Sequence, residues 1–462
     1  MGWSLVALAS FHAAQILGIG WLQIPCAYAL IELSRAPSNR KVFYPMLALG
    51  FLFYAPQLGF FWNIFGAAAI VLWLILAFWI ALFGLTLRLL RLRFGNGWML
   101  ALAPFIWTGF EYFRSELYYL RFGWLTFGMA CHGSPTHAAG VGAFAFSFLC
   151  VAVAATQQLF PKSWKLNGTI ILIVLTALFL FWRNLEASLK VYAQRVNERI
   201  IRVVGIQLEF PNDNEVLSAL NQARDKFPHA ELFMLSEYTF QNPVPQSVRD
   251  WCASNQVYLV VGGKEPLGET NFYNTAYVIG TNGAIVHKQV KSVPIQFFKD
   301  GLPAPERKVW DSPWGKFGVL TCYDLSYTRV VDDFVRQGAI ALLNPTMDVV
   351  DWGEQQHRLH ARVVSMRAAE YGIPIFRVAS SGVSLLVSPT GRELASAPYG
   401  VEGVIIGGKL PLNAKPRLPL DRHFASVCVG IAALALITSL IPARKKKSPD
   451  SESVPANTTT PC

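Results

Sequence analysis

Charge is what this sequence has least of. Charged residues make up 15% of its 462 positions, where a soluble protein carries about a quarter. The deficit lies in the first 185 residues and in a short stretch near the C-terminus, which excludes an ordinary soluble chain throughout. Cysteine is also sparse. The seven cysteines form no C-x-x-C pair, so neither a thiolate zinc ribbon nor a dense disulfide framework is expected. Cys252 and Cys322 are the only two between about 199 and 410; a bridge between them stays open, though a reactive Cys322 argues against it. No basic stretch precedes the first apolar run, so a cleaved signal peptide is not expected. Internal repeats are absent. The formal charge of +11 does not signal a nucleic-acid partner, because no strip of interleaved aromatic and basic residues accompanies it.

What is present is hydrophobic sequence, 53% of the chain. A spanning helix needs about 20 apolar residues, and the pattern predicts spans near 12–33, 43–61, 64–90, 98–113, 138–160, 167–184 and 424–442. Basic clusters lie beside them: Arg35, Arg40 and Lys41; Arg88, Arg91 and Arg93; Lys162 and Lys165; Arg444 to Lys447. Clusters of this kind face the cytoplasm. All four fall on one side if the chain starts outside and crosses seven times, which puts the stretch between the last two spans on the opposite face. The expected organisation is a transmembrane bundle over 1–190, a water-exposed domain over 199–412, a helix at 424–442 and a basic, disordered cytoplasmic tail at 443–462.

The 199–412 stretch alternates strand-like runs such as IIRVVGIQL, AELFMLSE, VYLVVGG and KFGVLTCYD with helical patterns at 213–227, 327–337 and 353–371. Strands alternating with helices predict a mixed sheet layered against helices. Three polar groups stand out at the ends of apolar strands: Glu237 in FMLSE, Cys322 in GVLTCYD, and Lys288 or Lys291 in AIVHKQVKSVP. Taken singly, Glu237 reads as a surface or capping residue, Cys322 as a small buried hydrophobe, and either lysine as solvated. Strand ends line sheet-edge pockets, and the three together point to nucleophilic catalysis.

Their order, with LSEYTF, NTAYVIGTNG, LTCYD, NPTMDVVDWG and RVASSGVSLLVSPTGR, resembles the nitrilase (carbon–nitrogen hydrolase) superfamily. The segment WTGFEYFRSELYYLRFGWLTFG and the hydrophobic framing narrow the resemblance to the bacterial apolipoprotein N-acyltransferases. The resemblance implies a polytopic α-helical membrane bundle carrying an αββα sandwich, with Glu237 as general base, Lys291 as oxyanion partner and Cys322 as nucleophile. Lys288 is the alternative lysine; three residues away, it points to the other strand face. The family's second glutamate, shortly after the lysine, is missing: VPIQFF puts Gln296 and Phe297 near its place, and Asp324 stands where glutamate is usual.

The implied activity is transfer of an acyl chain from a phospholipid, through a Cys322 thioester, to the N-terminal amine of a diacylglyceryl-cysteine lipoprotein. It needs no metal or organic cofactor and implies a monomer in the bacterial inner membrane with the catalytic domain on the periplasmic face. Trp107, Trp124, Trp352 and Phe298 are candidates to line the approach to the site, and residues 293–312 to cover it. Two readings compete. A membrane-tethered amidase would use the same triad with water; a decayed domain would only bind. A transporter is disfavoured because the spans hold few charges.

Overall fold

The computed structural model describes residues 2–159 and 199–441. The span expected at 167–184 and the tail at 443–462 lie outside the described residues.

The N-terminal part is helical: α1 (Gly2–Leu17), α2 (Gln23–Leu33), α3 (Asn39–Gln57), α4 (Phe60–Phe65), α5 (Ala68–Phe94), α6 (Asn96–Tyr112) and α7 (Ala143–Leu159). Among the described residues one helix, α5, is long and apolar enough to cross a membrane; α1, α7 and the C-terminal helix Ala425–Leu440 are apolar but shorter. The expected span at 12–33 is broken. α1 stops at Leu17, Gly18 takes φ +70°, and a 3-10 turn at Gly20–Leu22 precedes α2. A residue with positive φ ends a right-handed helix, and hydropathy alone does not register such a break. The stretch at 43–61 likewise divides between α3 and the short α4, and the 138–160 run becomes helical only at Ala143.

The α/β part holds twelve strands in two six-stranded sheets. The first is ordered β12-β1-β2-β3-β4-β5, from β1 (Ile200–Ile206), β2 (Leu232–Met234), β3 (Tyr258–Leu267), β4 (Asn271–Ile279), β5 (Ile285–Val290) and β12 (Ile405–Pro411). The second is ordered β11-β10-β9-β8-β7-β6, from β6 (Trp310–Ser312), β7 (Gly315–Val319), β8 (Ala341–Thr346), β9 (Ile375–Ala379), β10 (Ser384–Val387) and β11 (Glu393–Ala397). Val203, Met234, Val260 and Val278 of the first sheet pack against Val319, Leu343, Phe376 and Leu386 of the second. Helices α8 (Asp213–Lys226) and α9 (Gln246–Asn255) cover the first sheet. Helices α10 (Thr328–Arg336) and α11 (Glu354–Tyr371) cover the second, and α12 (Ala425–Leu440) follows. The result is an αββα sandwich. The six described cysteines are free, Cys252 and Cys322 included.

The outer faces of α10 and α11 are not solvated. Val330, Val363 and Val364 belong to one apolar core with Phe53, Leu87, Trp124 and Phe127 of the helical part. Polar bonds pin the same junction: the Thr328 N–H donates to Glu116 (2.8 Å), the Ala143 N–H to Glu370 (2.6 Å), and Gln355 to the Pro56 carbonyl (2.8 Å).

Candidate active site

The loops that carry Glu237, Cys322 and Met347 leave the carboxyl ends of β2, β7 and β8, where open α/β sheets place their ligands. Lys291 directly follows β5. Glu237 is 1% exposed. Its Oε1 accepts from Lys291 Nζ (2.8 Å) and Asn274 Nδ2 (2.6 Å), and its Oε2 from the Met347 N–H (2.8 Å). Gly262 makes this placement possible: a Cβ there would lie 2.5 Å from the Glu237 Cα, so only glycine lets β3 run against that backbone.

Lys288 and Lys291 separate as their spacing requires. Lys288 lies within β5 on an exposed face and pairs with Glu265 at 2.7 Å. Lys291 is 1% exposed, 2.8 Å from Glu237 and 2.8 Å from Asp300. Burial alone would depress the Lys291 ammonium, but Asp300 and Glu237 together hold it well above its ordinary value. Burial raises the Glu237 carboxyl, with Lys291 opposing and Asp300 adding to the rise. Asp300 is held low: burial works against its ionisation, and the Lys291 charge outweighs it.

Asp300 is the residue that sequence reasoning missed. The carboxylate absent from VPIQFF enters from nine positions beyond Lys291. Asp300 accepts from Tyr238 Oη (2.8 Å), Asn274 Nδ2 (3.0 Å) and the Ile295 N–H (2.7 Å), so the turn in the loop folds it back onto the lysine. Asn274, bridging both carboxylates from β4, was legible only as part of the NTAYVIG run. Asp324, shorter than glutamate, accepts from the Ser292 and Val293 N–H groups (2.8 Å each). It thereby ties the residues after Lys291 to the loop of Cys322; burial, opposed by these N–H donors, raises its carboxyl to about 6.

Cys322 sits at φ +53°, a left-handed conformation that costs a non-glycine residue about 1–3 kcal/mol and gathers at functional sites. Its thiol is 3.7 Å from the Met347 carbonyl. Burial, then the Glu237 carboxylate, pushes it well above the ordinary thiol range, with Lys291 opposing. The resting group is therefore a thiol, and the nucleophile forms only as its proton leaves.

Beside it lies a buried cluster. Asp348 accepts from His360 Nδ1 (2.9 Å) and Gln356 (3.2 Å) on one oxygen and from Arg377 on the other. His360 is driven down to about 4 by burial, then by Arg377. Cys322, Asp348 and His360 bring one donor atom each within 4.8 Å of one another. With Arg377 on one Asp348 oxygen and His360 on the other, these side chains fit an ion-paired positioning cluster better than a cation site.

The site opens into a cleft of about 890 Å³, its open mouth included. It is lined by Phe60, Phe61, Phe65, Leu72 and Leu76 of α4 and α5, by Trp124, Ile295, Phe298 and Trp352, and by Cys322 and His360. Trp124 donates to Ser326 Oγ (2.9 Å) and stacks on His360 (5.0 Å, 19°). Trp107 does not reach the cleft. α6 turns it into the helical core, against Phe83 and Phe127. The segment from Ile295 to Phe298 touches the helical part through Phe65 and through a Gln296 bond to the Tyr119 carbonyl (3.1 Å).

Two family models match the chain. Residues 4–156 match the apolipoprotein N-acyltransferase N-terminal domain, and 219–408 the carbon-nitrogen hydrolase domain. An apolipoprotein N-acyltransferase of Agrobacterium fabrum is 32% identical over 37% of this chain and 36% of its own. One from Shewanella oneidensis is 24% identical over 83% of this chain and 85% of its own. A deaminated glutathione amidase of Dictyostelium discoideum is 28% identical over 34% of this chain and 61% of its own. The match thus spans about a third of the Agrobacterium relative's length and three fifths of the amidase's.

Proposed function

Because the chain belongs to the apolipoprotein N-acyltransferase branch of the carbon–nitrogen hydrolase superfamily, we propose that it moves an acyl chain from a phospholipid to the N-terminal amine of a lipoprotein. The observation that carries this reading is the cleft: a buried Cys322 beside Glu237 and Lys291 opens onto a wall of phenylalanine and leucine supplied by the helical part. A substrate with a long apolar chain fits such a wall.

The chemistry runs in two halves. Glu237 takes the Cys322 proton as sulfur bonds to the ester carbonyl carbon. Lys291 and the Tyr323 backbone N–H stabilise the oxyanion. The carbon–oxygen bond then breaks, the departing lysophospholipid hydroxyl receives the proton from Glu237, and a thioester remains. In the second half the acceptor amine gives a proton to Glu237 as the carbon–nitrogen bond forms. The carbon–sulfur bond breaks, and the proton returns to sulfur. Asp300 keeps Lys291 charged through both halves, and no step calls on a metal or organic cofactor.

The apolar exterior of the helices supports a bundle embedded in the membrane; the proposed state is a monomer. Leu5, Leu52, Val71, Leu74, Phe78, Leu434 and Ile437 are exposed in a way a soluble surface avoids. The proposed organisation is a bundle over 1–190, a catalytic domain over 199–412, a closing helix at 424–442 and a cytoplasmic tail at 443–462. With the basic clusters on the cytoplasmic side, the proposed orientation has the catalytic domain on the periplasmic face of the bacterial inner membrane.

A second reading rests on the amidase relative: the same three groups with water in place of the amine would hydrolyse an amide. Intact-mass analysis after incubation with phospholipid separates the two. The acyltransferase gains one acyl chain, Cys322→Ala gains none, and a diacylglyceryl-cysteine peptide discharges it as the N-acyl product. A folded wild type that gains nothing from any phospholipid would sink the proposal and favour the amidase.

A further inference from the structure

The cleft that meets Cys322 is apolar on its walls but holds one cation, Arg121. Among the described residues no carboxylate pairs with it, and its Nε is buried with no partner. Its backbone is fixed to the reactive loop, since its carbonyl accepts from Tyr323 Oη at 3.3 Å. A second guanidinium shares its surroundings. The Arg121 Cζ lies 6.0 Å from the Tyr327 ring centroid, and the Arg329 Cζ lies 5.1 Å from the same ring. Arg329 donates to the Glu116 carbonyl oxygen (2.6 Å) and does not neutralise Arg121. The other charged group at the cleft, Asp348, already faces Arg377 and His360.

Two guanidinium groups held against one tyrosine repel each other unless an anion joins them. Burial, then Arg121, pulls Arg329 below its ordinary value, with the Glu116 carboxylate opposing. Planar guanidinium donors match the oxygens of a phosphate. An acyl donor whose reacting ester sits at Cys322 and whose chain lies along Phe61, Phe65 and Leu72 carries its phosphate a few bonds from that ester.

Resting on the acyl-transfer reading above, we infer that Arg121, with Arg329, is the subsite for the phosphate of the lipid donor and selects donors that carry one.

The test compares the rate of Cys322 acylation by dipalmitoyl phosphatidylethanolamine with that by p-nitrophenyl palmitate, which has the chain and the ester but no phosphate. Full-length protein in detergent is followed by intact mass. In Arg121→Gln the ratio of the two rates falls about tenfold, with the change in KM for the phospholipid, and Arg121→Lys lies between. Equal slowing with both donors, or an unchanged ratio, would overturn the subsite while leaving acyl transfer standing. Millimolar inorganic phosphate should slow acylation by the phospholipid more than by p-nitrophenyl palmitate, and less so in Arg121→Gln; equal slowing of both donors in both proteins would count against the subsite. A wild type acylated by neither donor would bring down the proposed function itself, and the subsite with it.

Discussion

Lys291 stands between two buried carboxylates, 2.8 Å from each, and removing it leaves Glu237 and Asp300 facing one another. We expect Lys291→Met to lower the rate of Cys322 acylation at least 10²–10³-fold, the usual loss for an oxyanion donor. It should also destabilise the fold by about 3–5 kcal/mol, because a buried pair has lost one partner. Lys288→Met, which breaks only a half-exposed pair with Glu265, should change acylation by less than about twofold. The reverse ranking, read by intact mass, would assign the chemistry to Lys288. Asp300→Asn keeps the side-chain shape and loses the charge that holds Lys291 up; about a tenfold slower acylation is expected, and an unchanged rate would remove Asp300 from the site. Glu237 and Cys322 stood out as candidates because each follows an apolar strand, whereas Lys291 was singled out from Lys288 only by the family resemblance. Asp300 was not legible. It lies in a loop of proline and aromatic residues with no period, and only the turn back through Ile295 brings it to the lysine.

At the scale of elements, α11 carries the clearest dependence on pH. His360 is buried neutral with its pKa lowered to about 4, against about 6.5 in the unfolded chain. The unfolded state therefore binds more protons between those two values. Stability is full above about pH 6.5 and falls as pH drops toward 4, by about 3 kcal/mol for this group. Thermal unfolding in detergent should show a fall in Tm from pH 7 to 4.5 that is larger in wild type than in His360→Gln. Parallel falls would place the acid sensitivity elsewhere. The elements differ in how plainly the sequence shows them. Long amphipathic α11 and the apolar strands β1, β3 and β8 were visible from periodicity. The two-part first span was not: Met1 to Leu33 is long for one span and short for two, but an apolar run looks the same whether or not Gly18 interrupts it. Nor were β6, β11 and β12 visible: β6 is three residues long, β11 is mostly exposed, and β12 carries two glycines and pairs with β1 from the far end of the domain.

For the whole molecule the deciding feature is the apolar core common to α10, α11 and the helical part. A fragment of residues 199–412 expressed alone would lose the apolar cover of the helical part and present Trp124's partners Tyr323 and His360 to water. We expect it to aggregate; a soluble monomeric fragment by size-exclusion chromatography would contradict this. Alternating strands and helices announced a mixed sheet layered against helices, and only the resemblance implied the two-sheet sandwich; its continuity with the N-terminal helices was not legible, since no local pattern reports which face of α11 meets which helix. The Trp124 stack on His360 gives that continuity a practical edge. Trp124 lines the cleft from the N-terminal half, so whatever loosens the helices also displaces the lining beside Cys322. A harsh detergent would then be expected to act as an inhibitor before it acts as a denaturant, silencing the reaction while the sandwich still gives its full circular dichroism.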